Sequence, residues 1–184
     1  QTKVTNQGIS ATEIVIGSHQ DLSGPIKGWG VPVANGMKLA VEELNAAGGV
    51  KGKPIRLLIE DDKGNPTEAN NKVLQLIDRD KVIAILGEVA SSRSKPGGIV
   101  ANSKKIPMIT PSSTNADVTK VGPFVFRVCF IDDVQGLAGA RFVVNTLKKK
   151  KIAVLYATDD LYSSGLASEF EKELKLLGGE IVMK

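Results

Sequence analysis

The sequence predicts an α/β fold on a doubly wound parallel sheet, with a first lobe nearly complete and the start of a second. Three observations carry that prediction. Short apolar runs alternate with longer stretches in which apolar residues recur at three- and four-residue steps. Several of the short runs are apolar almost throughout, as in strands covered on both faces. The stretches between them are long enough to hold the helix that returns the chain in a parallel crossover.

The first strand is expected at 13–17 and the first helix at 31–46, where Val33, Met37, Ala40, Val41 and Leu44 share a face. Gly48 and Gly49 end that helix. A second strand at 55–60 runs into Asp61, Asp62, Lys63, Gly64, Asn65 and Pro66, a turn-rich opening for a helix near 67–79. Residues 82–86 form the next strand, and a polar turn after Gly87 leads into a third helix. Strands follow at 107–110 and 124–130, then a helix over 134–147. The lysines at 148–151 sit at its end, where cations suit the helix dipole. A strand at 152–156, a helix at 163–177, Gly178 with Gly179 and a strand at 180–183 continue the alternation. Gly122 with Pro123 and Asp132 with Asp133 bracket the Phe-rich strand. They divide the chain into a first lobe, 1–121, and a crossover with a partial second lobe, 122–184.

Composition narrows the function. With 184 residues, 42% hydrophobic and 24% charged, the chain can bury one good core but is short for two complete domains. The net charge of +4 is spread along the sequence, so nucleic acid is not expected as a partner. Five Phe, two Tyr and one Trp are too few for a base-stacking surface, which makes Trp29 and Tyr162 conspicuous. The lone Cys129 rules out an intrachain disulfide and is expected in the core. The lone His19 excludes a His-rich metal site and is expected as an ordinary polar side chain at a strand end. No apolar run is long enough to span a bilayer, and residues 1–10 are polar with no signal-peptide core.

Ligands in such sheets bind beyond the carboxyl ends of the strands. The loop at 21–30 is rich in glycine and displays Trp29, either toward a ligand or as a cap on the local core. Residues 28–33 lack the last glycine of a dinucleotide fingerprint. Ser91 or Ser92 is expected to cap the third helix, whose free N–H groups can hold an anion; a cap with no ligand is the plainer alternative. Thr110, Ser112, Ser113 and Thr114 form a second hydroxyl-rich cluster in the neighbouring loop. Together the two clusters suit a small zwitterion. There is no phosphate loop, no nucleophile elbow and no second histidine, so no enzyme, cofactor or metal is expected. Asp61 and Asp62 are assigned to turn and helix-start roles.

These residues resemble a known family. Leu22 to Pro25, Gly36 to Ala40, Glu43 to Gly52, Asp61 and Asp62 with Pro66 and Ala69, Ser91 and Ser92, and Ile106 to Thr114 occur in the order seen in the type I periplasmic solute-binding proteins, specifically the leucine/isoleucine/valine-binding branch that serves ABC importers. The resemblance implies a ligand-capturing protein. Ser91 would hold the ligand α-carboxylate, while Ser112 and Thr114 would supply a carbonyl and a hydroxyl to the α-ammonium and α-carboxylate. Trp29 would cover the ligand side chain, and Tyr162 would approach from the second lobe.

The implied ligand is an amino acid, branched-chain or otherwise apolar. The implied partner is a membrane-embedded ABC permease, and the implied location is periplasmic or extracytoplasmic, with a signal peptide removed. Family members are longer, with a second-lobe acid for the ligand ammonium, so a homodimer sharing elements is a further expectation. Two alternatives remain open: a cytoplasmic sensor or effector domain of the same fold, and a flavodoxin-like or Rossmann-like enzyme.

Overall fold

The computed structural model describes residues 7–184; of the polar N-terminal stretch discussed above, residues 1–6 lie outside the described residues. Strands β1 (Ile14–Gln20), β2 (Ile55–Asp61), β3 (Ile85–Leu86), β4 (Met108–Thr110) and β5 (Val125–Arg127) join in the order β2-β1-β3-β4-β5. Every pair is parallel. The chain steps from β1 outward to β2, then returns to the other side of β1 for β3, β4 and β5. The reversal opens a crevice between the carboxyl ends of β1 and β3, the point where open α/β sheets take their ligands.

Three helices cover this sheet, α1 (Lys27–Ala46), α2 (Pro66–Asp78) and α3 (Ser91–Ser103). Helix α2 packs on α3, whereas α1 lies against β1 and β2. The core forms where Val15, Ile85 and Met108 of the sheet meet Val73, Leu76 and Ile77 of α2 and Val100 and Ala101 of α3. Asn65 caps α2 by accepting the N–H groups of Thr67 and Glu68, and Pro66 takes the first helical position. The apolar face expected for α1 is thinly covered: only Gly30 and Ala34 are buried in that helix, and Leu44 is 40% exposed.

After β5 the chain leaves the sheet for α4 (Asp132–Arg141), a π-helical turn (Phe142–Thr146), β6 (Lys151–Ala153), α5 (Leu161–Leu176) and β7 (Glu180–Met183). Strands β6 and β7 make a separate parallel pair. Helices α4 and α5 approach so closely that a Cβ on Gly136 would lie 2.7 Å from the Glu169 carbonyl carbon.

The structure corrects several boundaries. Strand β5 is the edge of the larger sheet, paired with β4, so the division expected at residue 121 falls in front of a strand that belongs with the preceding ones. The expected loop at 21–30 already winds into α1 at Lys27, because Gly28, Gly30 and Pro32 read as loop signals but are tolerated in a first turn or two. Cys129 is half-buried rather than in the core; its thiol donates to the Ser113 carbonyl at 3.5 Å, and burial pushes its pKa up. His19 does end a strand, but it is fully buried. Among the described residues no helix is long and apolar enough to cross a membrane.

Candidate ligand cleft

The wall on the β1 side is organised by buried carboxylates. Asp21 accepts the N–H groups of Gly24 and Ile26 and so turns the chain toward α1. Gly30 then passes so near that an added Cβ would lie 2.1 Å from the Asp21 carbonyl oxygen, which fixes the helix start and leaves Trp29 on the solvent side, 70% exposed. Asp61 accepts from Leu22, Lys63 and the Ser23 hydroxyl. Burial raises its pKa, but the Ser23 hydroxyl and the backbone donors outweigh that and hold it below the ordinary value. Asp62 accepts from Gly64 and pairs with His19, so the two acids serve the turn, as expected.

Beyond β3, the turn from Gly87 to Ser91 is stitched to the loop after β4. The Glu88 carbonyl accepts the hydroxyls of Ser94 and Thr110 at 2.8 and 2.9 Å. The Val89 carbonyl accepts that of Ser112 at 3.0 Å, and the Ser113 hydroxyl donates to Ser94 Oγ at 2.7 Å, within reach of both carbonyls. The two hydroxyl-rich loops therefore do meet. Neither serine caps α3, however: Ala90 holds the cap position and makes no side-chain cap. Ser91 Oγ accepts the Asn115 N–H at 3.2 Å, and Ser92 Oγ donates to Asp160 at 2.8 Å. The N–H groups of Ser91 and Ser92 keep no intrahelical acceptor, at the positive end of the helix dipole.

The Glu88 side chain lies directly beneath this turn. It is fully buried, one carboxyl oxygen accepts the Ala90 N–H, and the other has no partner. Burial pushes its pKa from 4.5 up to about 8, with Asp62 and Asp21 adding to the rise and Arg93 opposing it. That shift favours the protonated acid at neutral pH.

All five residues singled out from the sequence border one cavity of about 520 Å³: Trp29, Ser91, Ser112, Thr114 and Tyr162. Tyr162 comes from the first turn of α5, capped by Asp160. Their local circumstances differ. The Ser112 hydroxyl is engaged with Val89, while Thr114 Oγ1 is buried beside the Asp132 carboxylate, whose burial-raised pKa it draws back down, and makes no hydrogen bond of ordinary length.

The cavity also contains residues the sequence reading missed, chiefly Phe130 and Gln135. Phe130 was readable in principle. In the 124–130 run Phe126, Val128 and Phe130 alternate and are 50%, 70% and 56% exposed, so the apolar face points outward. Arg127 points inward instead and donates to the carbonyls of Ser113, Asn115 and Ala116 and to Thr119 Oγ1. No sequence signal marks Gln135. Among the described residues, no group of three or more His, Cys, Asp and Glu side chains can hold a metal ion.

Comparison with known proteins gives this cleft a context. An amino acid binding protein of Pseudomonas aeruginosa is 38% identical over 172 residues, covering 93% of this chain and 46% of the relative. A leucine-specific-binding protein of Salmonella typhimurium is 30% identical, covering 96% of this chain and 48% of the relative. The leucine binding protein LivK of Thermotoga maritima superposes with a TM-score of 0.88 at 38% identity, over 92% of this chain and 48% of that one. The branched-chain amino acid transporter substrate binding protein LivJ of Streptococcus pneumoniae, in complex with isoleucine, gives 0.87 at 32% identity, over 94% and 49%. The chain spans about half the length of these relatives. They are binding proteins by name, in agreement with the expectation of no enzyme. The family described as periplasmic binding protein matches residues 13–184, and with the sheet order, the switch-point crevice and these relatives in view, the chain belongs to the periplasmic binding proteins.

Proposed function

We propose that this chain captures an apolar L-amino acid for an ABC importer, outside the cytoplasm, in the cleft between the carboxyl end of the larger sheet and α4–α5. The observation that carries the reading is that three uncovered rings share one cavity with Ala90 and Ser91 at the start of α3. Trp29, Phe130 and Tyr162 are 70%, 56% and 37% exposed, and the Ser91 and Ser92 N–H groups in the first turn of α3 keep no intrahelical acceptor. A carboxylate at that helix end is favoured by the dipole and by the free N–H groups. Covering the rings gains about 25 cal/mol per Å² of apolar surface. A ligand with a charged head and an apolar tail satisfies both at once.

In this reading the head binds at the start of α3. Ser91 and the first-turn N–H groups take the α-carboxylate, and Ser112 and Thr114 complete the seat with a carbonyl and a hydroxyl. Trp29 and Phe130 flank the side chain, and Tyr162 covers it from α5. Ligand bridging the two parts favours the closed arrangement, the form a membrane permease would select. The names of the relatives support leucine, isoleucine or valine as first candidates.

The test is titration calorimetry of the ligand-stripped chain against leucine, isoleucine, valine, phenylalanine, alanine and glutamate. We expect saturable heat with one or more of the apolar amino acids, none with glutamate, and loss of the heat in Ser91→Ala. Silence across the panel from a folded protein would overturn the reading.

A further inference from the structure

The larger sheet and the α4–α5 part are joined covalently by one passage of chain, residues 128–131. Away from that passage a compact polar bridge ties them together. Asp160, which caps α5 by accepting the Ser163 N–H at 2.8 Å, turns its other carboxylate oxygen to α3. That oxygen accepts the Ser92 hydroxyl at 2.8 Å and lies 3.5 Å from Arg93 Nη1. Arg93 itself is fixed from the larger part: Nε donates to the Gly64 carbonyl at 2.8 Å and Nη1 to Ser92 Oγ at 2.7 Å. The guanidinium and hydroxyl are thus held in place on one side, and Asp160 is the only group of the trio that travels with α5. The Arg93 side chain is 14% exposed, so the charge it presents is weakly screened.

None of these three residues borders the cavity, yet each adjoins a residue that does. Ser92 and Arg93 follow Ser91 along α3, and Asp160 lies two positions before Tyr162. A contact across two parts, present only when they are together, stabilises the closed arrangement and cannot stabilise an open one. Its strength therefore enters ligand affinity without any contact to ligand.

We propose that Ser92, Arg93 and Asp160 form a clasp that sets how firmly the cleft stays closed, and that they are positioning residues for ligand retention. The proposal rests on the cleft being an amino-acid site. The clasp acts in the closed arrangement with or without ligand, so it governs release: breaking it speeds dissociation and does not slow association.

The experiment uses the full chain, its single Trp29 as the fluorescent reporter, and leucine as the probe in stopped flow. Arg93→Ala and Asp160→Asn are the main variants; asparagine keeps an acceptor able to cap α5, so the helix start survives. We expect each to raise the leucine dissociation rate about tenfold, equivalent to about 1.4 kcal/mol, with association no slower than in the parent. The double variant should add little to either single one. Unchanged dissociation rates in variants of a parent that binds leucine would overturn the clasp.

Small-angle scattering of the ligand-free proteins supplies a readout independent of any ligand. The clasp predicts a larger radius of gyration for both variants than for the parent. If the parent binds no amino acid, the functional reading fails, and an unchanged radius in Arg93→Ala would then overturn the clasp as well.

Discussion

His19 Nδ1 lies 2.9 Å from Asp62 Oδ2, and both side chains are sealed from solvent. A carboxylate only accepts, so the nitrogen facing it carries the proton. The other ring nitrogen, Nε2, abuts Gly97 of α3, where an added Cβ would lie 2.9 Å away, and has no hydrogen-bond partner. The pair fastens the end of β1 to the turn that opens α2, the turn whose Gly64 carbonyl anchors Arg93. His19→Leu strands a buried carboxylate and should lower stability by about 3 kcal/mol in urea unfolding. Adding Asp62→Asn, which removes the charge, should recover part of that loss. A coupling near zero in the double-mutant cycle would show that the pair carries no such role.

Glu88 gives a pH dependence whose sign follows from its raised pKa. The unfolded chain releases this proton near 4.5 and the folded protein near 8, with burial the main cause. Between those values the native state binds more protons, so the contribution of Glu88 to stability is fully present below 4.5 and is lost as pH rises through 8. The slope is at most about 1.4 kcal/mol per pH unit. Unfolding midpoints measured from about pH 5 to about pH 9 should therefore fall less steeply for Glu88→Gln than for the parent protein. Parallel curves would mean that Glu88 is already ionised in the fold.

The sheet was legible because its strands are short apolar runs whose order in sequence obeys the crossover rules. Positions of the hydroxyl clusters followed from that order: Ser91 and Thr114 leave adjacent strands, β3 and β4, at the same end. What resisted reading was anything decided by tertiary contact. Helix α1 begins at Lys27 because Asp21 takes the N–H groups at its approach, a fact invisible in a run of glycines and a proline. The 124–130 run looks like a buried strand, but Arg127 points inward, and the face of Phe126, Val128 and Phe130 points outward, with Phe130 alone bordering the cleft. Alternation alone cannot say which face is inside.

Arg127 is accordingly the residue we expect to govern the order of the 113–119 loop. Its Nη1 reaches the Ser113 and Asn115 carbonyls at 2.8 Å each, and its Nη2 reaches Ala116 and Thr119. A lysine cannot reproduce that planar fork from a single ammonium group. Arg127→Lys should speed amide hydrogen exchange across 114–119 by about tenfold or more while leaving α2 and β1 protected, since only the loop's own anchors are lost. Uniform acceleration over the whole larger sheet would mean that Arg127 supports global stability instead.

Thr114 separates binding from folding most sharply. Its hydroxyl is buried beside the Asp132 carboxylate without a hydrogen bond of ordinary length, whereas the neighbouring Ser113 hydroxyl donates to Ser94 Oγ at 2.7 Å, close to the Glu88 and Val89 carbonyls. Valine has nearly the shape of threonine and no hydroxyl to desolvate. Thr114→Val should therefore leave the unfolding midpoint unchanged or raise it slightly, while lowering affinity for the bound amino acid by about tenfold or more, the loss of one hydrogen bond to a charged group. Ser113→Ala should do the reverse in stability, losing on the order of 1 kcal/mol because it removes bonds that join the two loops. Calorimetry and urea unfolding on the same preparations measure both quantities. Equal affinity in Thr114→Val and the parent would remove Thr114 from the ligand seat, and a large fall in its stability would show that the hydroxyl has a partner within the fold.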